Sequence, residues 1–319
     1  MTILAGIDEA GFGPLLGPLV VSSCAFSVPS EAVQEDLWHL LRKSVGKTRK
    51  HLRGRLLVTD SKKAYRRAEG LGHLERSVLA ALRCLDARPS DLSALLAVLC
   101  PHCVTRLWEY PWYRQAEHHP LTGERPDLRI AAKVFGEDMD TSGVRLAHLT
   151  TDCLDVARYN GLIERVRNKA GVLFMTTTRL IQNLVDRFGR QDVHILIDRQ
   201  GGRVHYREHL LRSFPEMELR IIAETEQRSA YALACRARVV YLSFEVGADE
   251  RHLPVSLASM VSKYVRELLV ECMNSYFAGM SPDLKPTAGY WTDGLRFLDD
   301  LARCVPDLQI DRHRLVRCR

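Results

Sequence analysis

The 319-residue chain has no apolar run of about 18 residues, the length a membrane-crossing helix needs, so no membrane span is expected. Its opening, MTILAGIDEAGFGP, puts Asp8 and Glu9 where a signal peptide would carry its apolar stretch, and a cytoplasmic protein is expected. Internal repeats and low-complexity tracts are missing, which argues against a solenoid or a disordered linker. The nine cysteines are odd in number and scattered, a pattern of reduced thiols rather than a disulfide framework. Cys100-Pro101-His102-Cys103 contains a CxxC, but no second CxxC exists. A zinc site there would need two further ligands, for which His118, His119 and Cys153 are available, and the irregular spacing weighs against it. A redox role would need a strand–CxxC–helix setting that the sequence does not offer. Gly201, Gly202 and Gly289 form no phosphate-binding fingerprint. Ser61 has no histidine at a telling spacing, which argues against a nucleophilic serine.

Neither sign of charge dominates. Lys and Arg number 45 and Asp and Glu 39, a net charge of +6 that permits a polyanionic partner without requiring one. Hydrophobic residues make up 46% and charged residues 26%, enough for a sizeable core. Ile3 to Ile7 reads as a buried strand, Gly11-Phe12-Gly13-Pro14 as a turn, and Leu19 to Phe26 as a second strand, together an antiparallel hairpin. A helix over 71–85, helical periodicity over 154–188, strands over 193–197, 219–224 and within 230–245, and a long helix over 254–278 complete an α/β pattern. Pro254 falls in the first turn of that last helix, where its missing N–H does no harm. Residues 86–143 have little periodicity and read as an inserted, loop-rich region. The basic stretch 46–55 fits a solvated loop better than a phosphate contact. Trp108, Tyr110, Trp112 and Tyr113, with Arg106 and Arg114 nearby, fit a small local core better than a base-stacking surface.

The chemistry concentrates in carboxylates at strand ends. Asp8 and Glu9 close the first strand, and Asp198 closes VHILI before a Gly-Gly turn. Charge at a buried strand end is costly unless a cation or hydrogen bonds compensate it. Neighbours in a strand point to opposite faces, so Asp8 and Glu9 would need a local break to share a ligand. A single such acid is more often a turn residue or a helix cap. Several at one sheet edge make an oxygen-rich site suited to Mg²⁺ or Mn²⁺.

On these residues the chain resembles the ribonuclease HII family. Gly6 to Pro14, followed by Gly17-Pro18, is similar to the family's first motif with its first two metal-binding carboxylates. Asp60-Ser61-Lys62-Lys63 resembles the second motif, and Asp198 before Gly201 and Gly202 matches the third carboxylate. Ser256 to Glu267 resembles the family's Ala/Ser-rich helix, with Lys263 in place. Asp249 precedes Lys263 at the spacing of the fourth carboxylate, with Glu224 and Glu226 as alternatives. Gly289-Tyr290-Trp291-Thr292 resembles the late motif whose tyrosine packs on the sugar, and His313-Arg314 resembles the closing His-Arg.

The resemblance implies a ribonuclease H-like mixed five-stranded sheet flanked by helices, with the loop-rich insertion and a helical C-terminal extension. Residues 1–278 would form the catalytic domain and 279–319 a substrate-contacting extension. It further implies an endoribonuclease that cleaves the RNA strand of RNA–DNA hybrids with two metal ions, leaving 5′-phosphate and 3′-hydroxyl ends. Asp8, Glu9, Asp198 and Asp249 would be catalytic and hold Mg²⁺ or Mn²⁺. Gly11, Phe12, Gly13, Ser61, Lys62, Lys263 and Tyr290 would meet the nucleic acid. Lys62 and Lys63 read equally well as solvated surface, and Tyr290 also reads as a packed aromatic. Phe12 stands where the family has arginine, which bears on phosphate contact and on single-ribonucleotide cleavage. A monomer is expected. The alternative is a non-catalytic protein that binds RNA–DNA hybrids on the same fold.

Overall fold

The computed structural model describes residues 1–114, 116–121, 125–235 and 238–318. Its frame is a seven-stranded mixed sheet. The strands are β1 (Thr2–Ala10), β2 (Leu19–Val28), β3 (Arg145–Leu154), β4 (Val193–Asp198), β5 (Glu218–Glu224), β6 (Arg228–Cys235) and β7 (Arg238–Glu245). Their order across the sheet is β3-β2-β1-β4-β7-β6-β5. β1 pairs antiparallel with β2 and parallel with β4, and β4 pairs parallel with β7. β1 is buried at every position except the half-buried Glu9. A strand covered on both faces reads as a near-continuous apolar run, as this one does up to Asp8.

Eight helices of seven or more residues matter to the argument. They are α1 (Gly72–Arg83), α2 (Leu92–Leu99), α3 (Pro101–Leu107), α4 (Pro126–Thr141), α5 (Val156–Val166), α6 (Lys169–Phe188), α7 (Leu253–Ala278) and α8 (Trp291–Cys304). α7 crosses β1 and β2 on one face of the sheet. That face builds a core from Leu4, Val20, Cys24 and Phe26 with Leu257, Val261 and Leu268 of α7. On the other face Ile3, Ala5, Ile7 and Val21 pack with Leu162 of α5 and Leu173, Leu180 and Leu184 of α6. The alternation of β1 thus feeds two cores, Leu4 into one and its neighbours Ile3 and Ala5 into the other. Gly6 is the point of closest approach. A Cβ there would lie 2.2 Å from the Val255 backbone nitrogen, so only glycine lets α7 start against β1.

Two expectations are corrected. The sheet has seven strands rather than five. The hairpin β6–β7 adds β6 beyond β7, and β5 then pairs antiparallel with β6. β5 is left as an edge strand with Ile221 and Ile222 exposed. The region 86–143 is helical rather than loop-rich. α2 is capped by Asp91, whose carboxylate accepts from the Ala94 N–H at 2.8 Å, and α3 and α4 each begin with proline at the first turn. Short helices broken by proline hide their period from a sequence window.

The 154–188 periodicity resolves into α5 and α6, separated by Arg167 in the left-handed region. The strand β3 was not anticipated. The aromatic cluster is core: Tyr110, Trp112 and Tyr113 are buried, and Trp112 lies 5.7 Å from the Phe277 ring of α7. Among the described residues no helix is long and apolar enough to cross a membrane.

Candidate functional site

The parallel register places the ends of β1, β4 and β7 side by side. Ile7 pairs with Ile197 and Asp198 with Glu245. Asp8 therefore lies one step beyond the last β1–β4 pair, beside Asp198. After β7 the chain turns through Gly247, at φ +63°, into a four-residue helix, Ala248–Arg251, that carries Asp249. This turn is anchored by the Ala248 N–H, which donates to Asp198 Oδ1 at 2.8 Å. The Ser256 hydroxyl, at the start of α7, donates to the Asp249 carbonyl. Asp249 is thereby brought to face Asp198, whereas Glu224 is taken by the Tyr231 hydroxyl and by His205 Nδ1 at 3.0 Å. The structure thus brings Asp249 to the strand edge and gives Glu224 other partners.

The expected break between Asp8 and Glu9 does not occur, since β1 runs on to Ala10. The Asp8 carboxyl nevertheless stays beside Glu9, whose N–H donates to Asp8 Oδ1 at 2.8 Å, and Ser259 of α7 favours its charged form. The Ser262 hydroxyl of the same helix donates to the Asp8 carbonyl at 2.9 Å. Burial, then the charges of Glu9 and Asp198, pushes Asp8 well above the usual carboxylate range. Burial and Asp198 lift Glu9 to about 7. Burial, Asp198 and Asp60 lift Asp249 to about 7, and burial raises Asp198. Like charges held this closely resist joint ionisation unless a cation joins them.

Asp60, which opens the second motif but is not among the expected ligands, is a fifth acid. It caps the short helix Ser61–Ala64, accepting from the Lys62 N–H, and it helps to raise Asp249. Lys62 faces the acids and favours the charged forms of Glu9, Asp198 and Asp249. Ser61 is buried, with its hydroxyl 3.0 Å from that of Ser259. Lys63 pairs with Glu250 on the surface. Lys263 is engaged elsewhere: its amine lies 2.8 Å from Glu267 and over the Tyr65 ring. Glu245, at the third strand end, is also committed. Despite partial burial, His252, Ser243 and Arg251 hold it down at about 2.

The loop after β1 is held from the tail. Gly11 sits at φ +89°, where a Cβ would lie 2.6 Å from the Pro18 carbonyl oxygen. Phe12 turns to pack against the core that α5 and α6 cover. The buried Arg317 donates to the carbonyls of Gly11 and Phe12, and its guanidinium stacks over the Tyr159 ring at 4.0 Å. A guanidinium is thus present at this loop, but it comes from the tail and is spent on backbone carbonyls. Gly13 lies in open space. The Leu15 and Leu16 N–H groups both donate to the Gly289 carbonyl, which seats the exposed Tyr290 beside the loop, 5.5 Å from the Arg266 guanidinium.

The donor set of the strand-end acids is all oxygen, and three of its members are held partly uncharged without a cation, which fits a hard divalent ion. Among the described residues, however, the metal-holding group with all ligand atoms within 4.8 Å is His102, Cys103 and Asp152, at a different place. The strand-end carboxylates are spread more widely than that.

These features define an α/β protein with a mixed sheet whose acids gather at the ends of its central strands. An 81-residue stretch, 25% of this chain, is 42% identical to ribonuclease HII of Methanocaldococcus jannaschii, and it spans 30% of that relative's length. The likeness in sequence is local, and the chain matches less than a third of that relative's length. No family model matches the chain.

Solved structures align along nearly all of the chain, but loosely. Ribonuclease HII from Archaeoglobus fulgidus, solved with PCNA, gives a TM-score of 0.47 at 15% identity, covering 99% of this chain and 94% of that one. Ribonuclease H2 from Pyrococcus horikoshii gives 0.44 at 14% identity, covering 98% and 92%. Likeness at this level speaks to neither activity nor substrate.

Proposed function

We propose that the chain is a metal-dependent endoribonuclease that cleaves the RNA strand of RNA–DNA hybrids, leaving 5′-phosphate and 3′-hydroxyl ends. The observation that carries this reading is the gathering of Asp8, Glu9, Asp198 and Asp249 at one sheet edge, with the first, second and fourth held well above ordinary carboxylate pKa values. Buried acids kept together at such a cost favour a site that a divalent cation completes. These four would hold Mg²⁺ or Mn²⁺. When bound, such ions supply activated water and stabilise the departing 3′ oxygen.

The chain's own groups would do the rest. Ser259 and Ser262 orient Asp8 through its side chain and its carbonyl. The Ala248 N–H fixes one oxygen of Asp198. Lys62 would meet a backbone phosphate where it already faces the acids. The 2′-OH distinguishes RNA from DNA at a given site. Arg317 occupies the carbonyls of Gly11 and Phe12, so the N–H groups of the Gly11–Gly13 loop are the ones proposed to meet it. Tyr290, half exposed beside that loop, would pack on the sugar. Lys263, neutralised by Glu267, would support the helix rather than touch substrate.

The test is cleavage of three matched labelled duplexes: all-DNA, RNA–DNA hybrid, and DNA with one embedded ribonucleotide. Each is run with Mg²⁺, Mn²⁺ or EDTA, beside Asp8→Asn. Metal-dependent cutting of the hybrid, lost in the variant, is expected. Loss of the single-ribonucleotide activity alone would trace to Phe12. Tight hybrid binding without cutting by the unaltered protein would overturn the enzyme reading in favour of a hybrid-binding protein on this fold.

A further inference from the structure

The group formed by His102, Cys103 and Asp152 lies apart from the strand-end acids, where the 86–143 region meets β3. Cys100 ends α2, and the Cys103 N–H donates to its carbonyl at 2.8 Å, a tight turn that places Cys103 at the start of α3. Asp152 comes from β3, 49 positions further along, and its Oδ1 lies 3.7 Å from Cys103 Sγ and 3.8 Å from His102 Nε2. The other oxygen, Oδ2, is fixed by Arg179 of α6 at 2.7 and 2.8 Å, which leaves Oδ1 turned toward the histidine and the cysteine. Cys100 and Cys103 are fully buried and Asp152 nearly so, while His102 is exposed and leaves the group open to solvent on one side.

We propose that His102, Cys103 and Asp152 bind one Zn²⁺, its fourth position open on the solvent side, and that the ion fastens the inserted helices to the outer strand of the sheet. The spacing suits that ion. Zn–S bonds of about 2.3 Å and Zn–N or Zn–O bonds of about 2.0 Å imply tetrahedral edges of roughly 3.3–3.8 Å. The 3.7 Å sulfur–oxygen separation lies close to the S–O edge of about 3.5 Å, and the 3.8 Å nitrogen–oxygen separation would close by about 0.5 Å through a turn of the exposed His102 ring. Mixed thiolate, imidazole and carboxylate donors select a borderline-soft ion, unlike the all-oxygen set at the strand ends.

One thiolate and one carboxylate would balance the two charges of the ion, with Arg179 in contact with Asp152 and Arg106 facing Cys103. Arg179 also orients Asp152 from outside the ligand set, the role such partners play at zinc sites. A dithiol–disulfide role for the CxxC does not fit, because a partner thiol could not reach two fully buried sulfurs. The His118 and Cys153 that the sequence offered as further ligands are not part of the group, and His119 instead lies 3.6 Å from Glu271.

The test uses Co²⁺ as a spectroscopic stand-in on the full chain, stripped of metal under reducing conditions. A thiolate-to-cobalt charge-transfer band, with strong tetrahedral d–d bands, should saturate at one Co²⁺ per chain and be displaced by one Zn²⁺. Asp8→Asn should keep the signal, because the strand-end site has no sulfur. Cys103→Ser should lose it. His102→Ala alters an exposed side chain and should weaken Zn²⁺ binding by more than about tenfold. Absence of the charge-transfer band in the unaltered protein would overturn the proposal whatever the variants do. So would a band that Asp8→Asn removes.

Discussion

Asp8 is the residue on which the strand-end site turns. It sits at 7% exposure with three acids and their charges against it, yet the Glu9 N–H donates to its carboxylate and the Ser262 hydroxyl to its carbonyl, and so it remains in place. An acid whose pKa is raised on folding keeps its proton in the native state when the unfolded chain has already lost it. Native protein then binds more protons, and stability falls as pH rises. For Glu9 and Asp249 the window runs from their ordinary values near 4 up to about 7. Metal-free protein should therefore lose stability between about pH 4 and pH 7 through this cluster, with the full penalty present above that range. A divalent ion should remove the penalty. Thermal melts at about pH 5 and about pH 8 check this: Mg²⁺ or Mn²⁺ should raise the Tm more at the higher pH. In Asp8→Asn the metal-dependent rise should shrink, and metal-free stability at the higher pH should increase. An equal metal effect at both values would remove the site from consideration.

Elements act here by how closely they approach. The start of α7 lies against β1 because Gly6 has no Cβ, and the serines of α7 reach Asp8 only from that distance. Gly6→Ala puts a methyl group into backbone that cannot move freely. It should cost about 1–3 kcal/mol, measured by denaturant unfolding, and lower cleavage further than the stability loss explains. Retention of full stability would mean that α7 can shift outward, against the packing described above. At the opposite edge, β5 and β6 extend the sheet without touching the acids. Glu224 there is bound by His205 and Tyr231, so this alternative to Asp249 as a fourth ligand is engaged elsewhere.

Across the whole molecule the two chain ends meet at the candidate site. Val316 bridges Leu16, the Arg317 N–H donates to the Leu15 carbonyl, and Asn160 of α5 binds the carbonyls of His313 and Val316 and the N–H of Cys318. Arg317 then holds the Gly11 and Phe12 carbonyls. Removing residues 312–318 should leave the sheet folded but free the loop after β1. Hydrogen exchange should speed up at residues 11–16, and KM for the hybrid should rise more than kcat falls. Unchanged exchange in that loop would show that the tail does not hold it.

What could be read from the sequence alone followed from local rules. Asp8, Glu9 and Asp198 stood out because an acid after an apolar run is costly wherever the strand goes, and the glycines after them marked turns whatever the fold. α7 was legible because its length and its proline near the first turn are local features. β3 was not, since its alternation is broken by polar residues and gains meaning only against β2. α2 and α3 were hidden by their shortness, whereas α4, 16 residues long with proline in its first turn, carries a local signal of its own.

Register and crossovers decided the rest. The parallel pairing of β1, β4 and β7 sets Asp8 beside Asp198, the turn after β7 brings Asp249 to them, and the cap at Asp60 completes the acids from a distant helix. Asp152 meets the Cys-Pro-His-Cys turn only because β3 forms the outer strand beside α3. A sequence window reports period and burial cost, which are properties of neighbours along the chain. The pKa of a carboxylate and the ligands around an ion depend on neighbours through space, and those exist only once the sheet has formed.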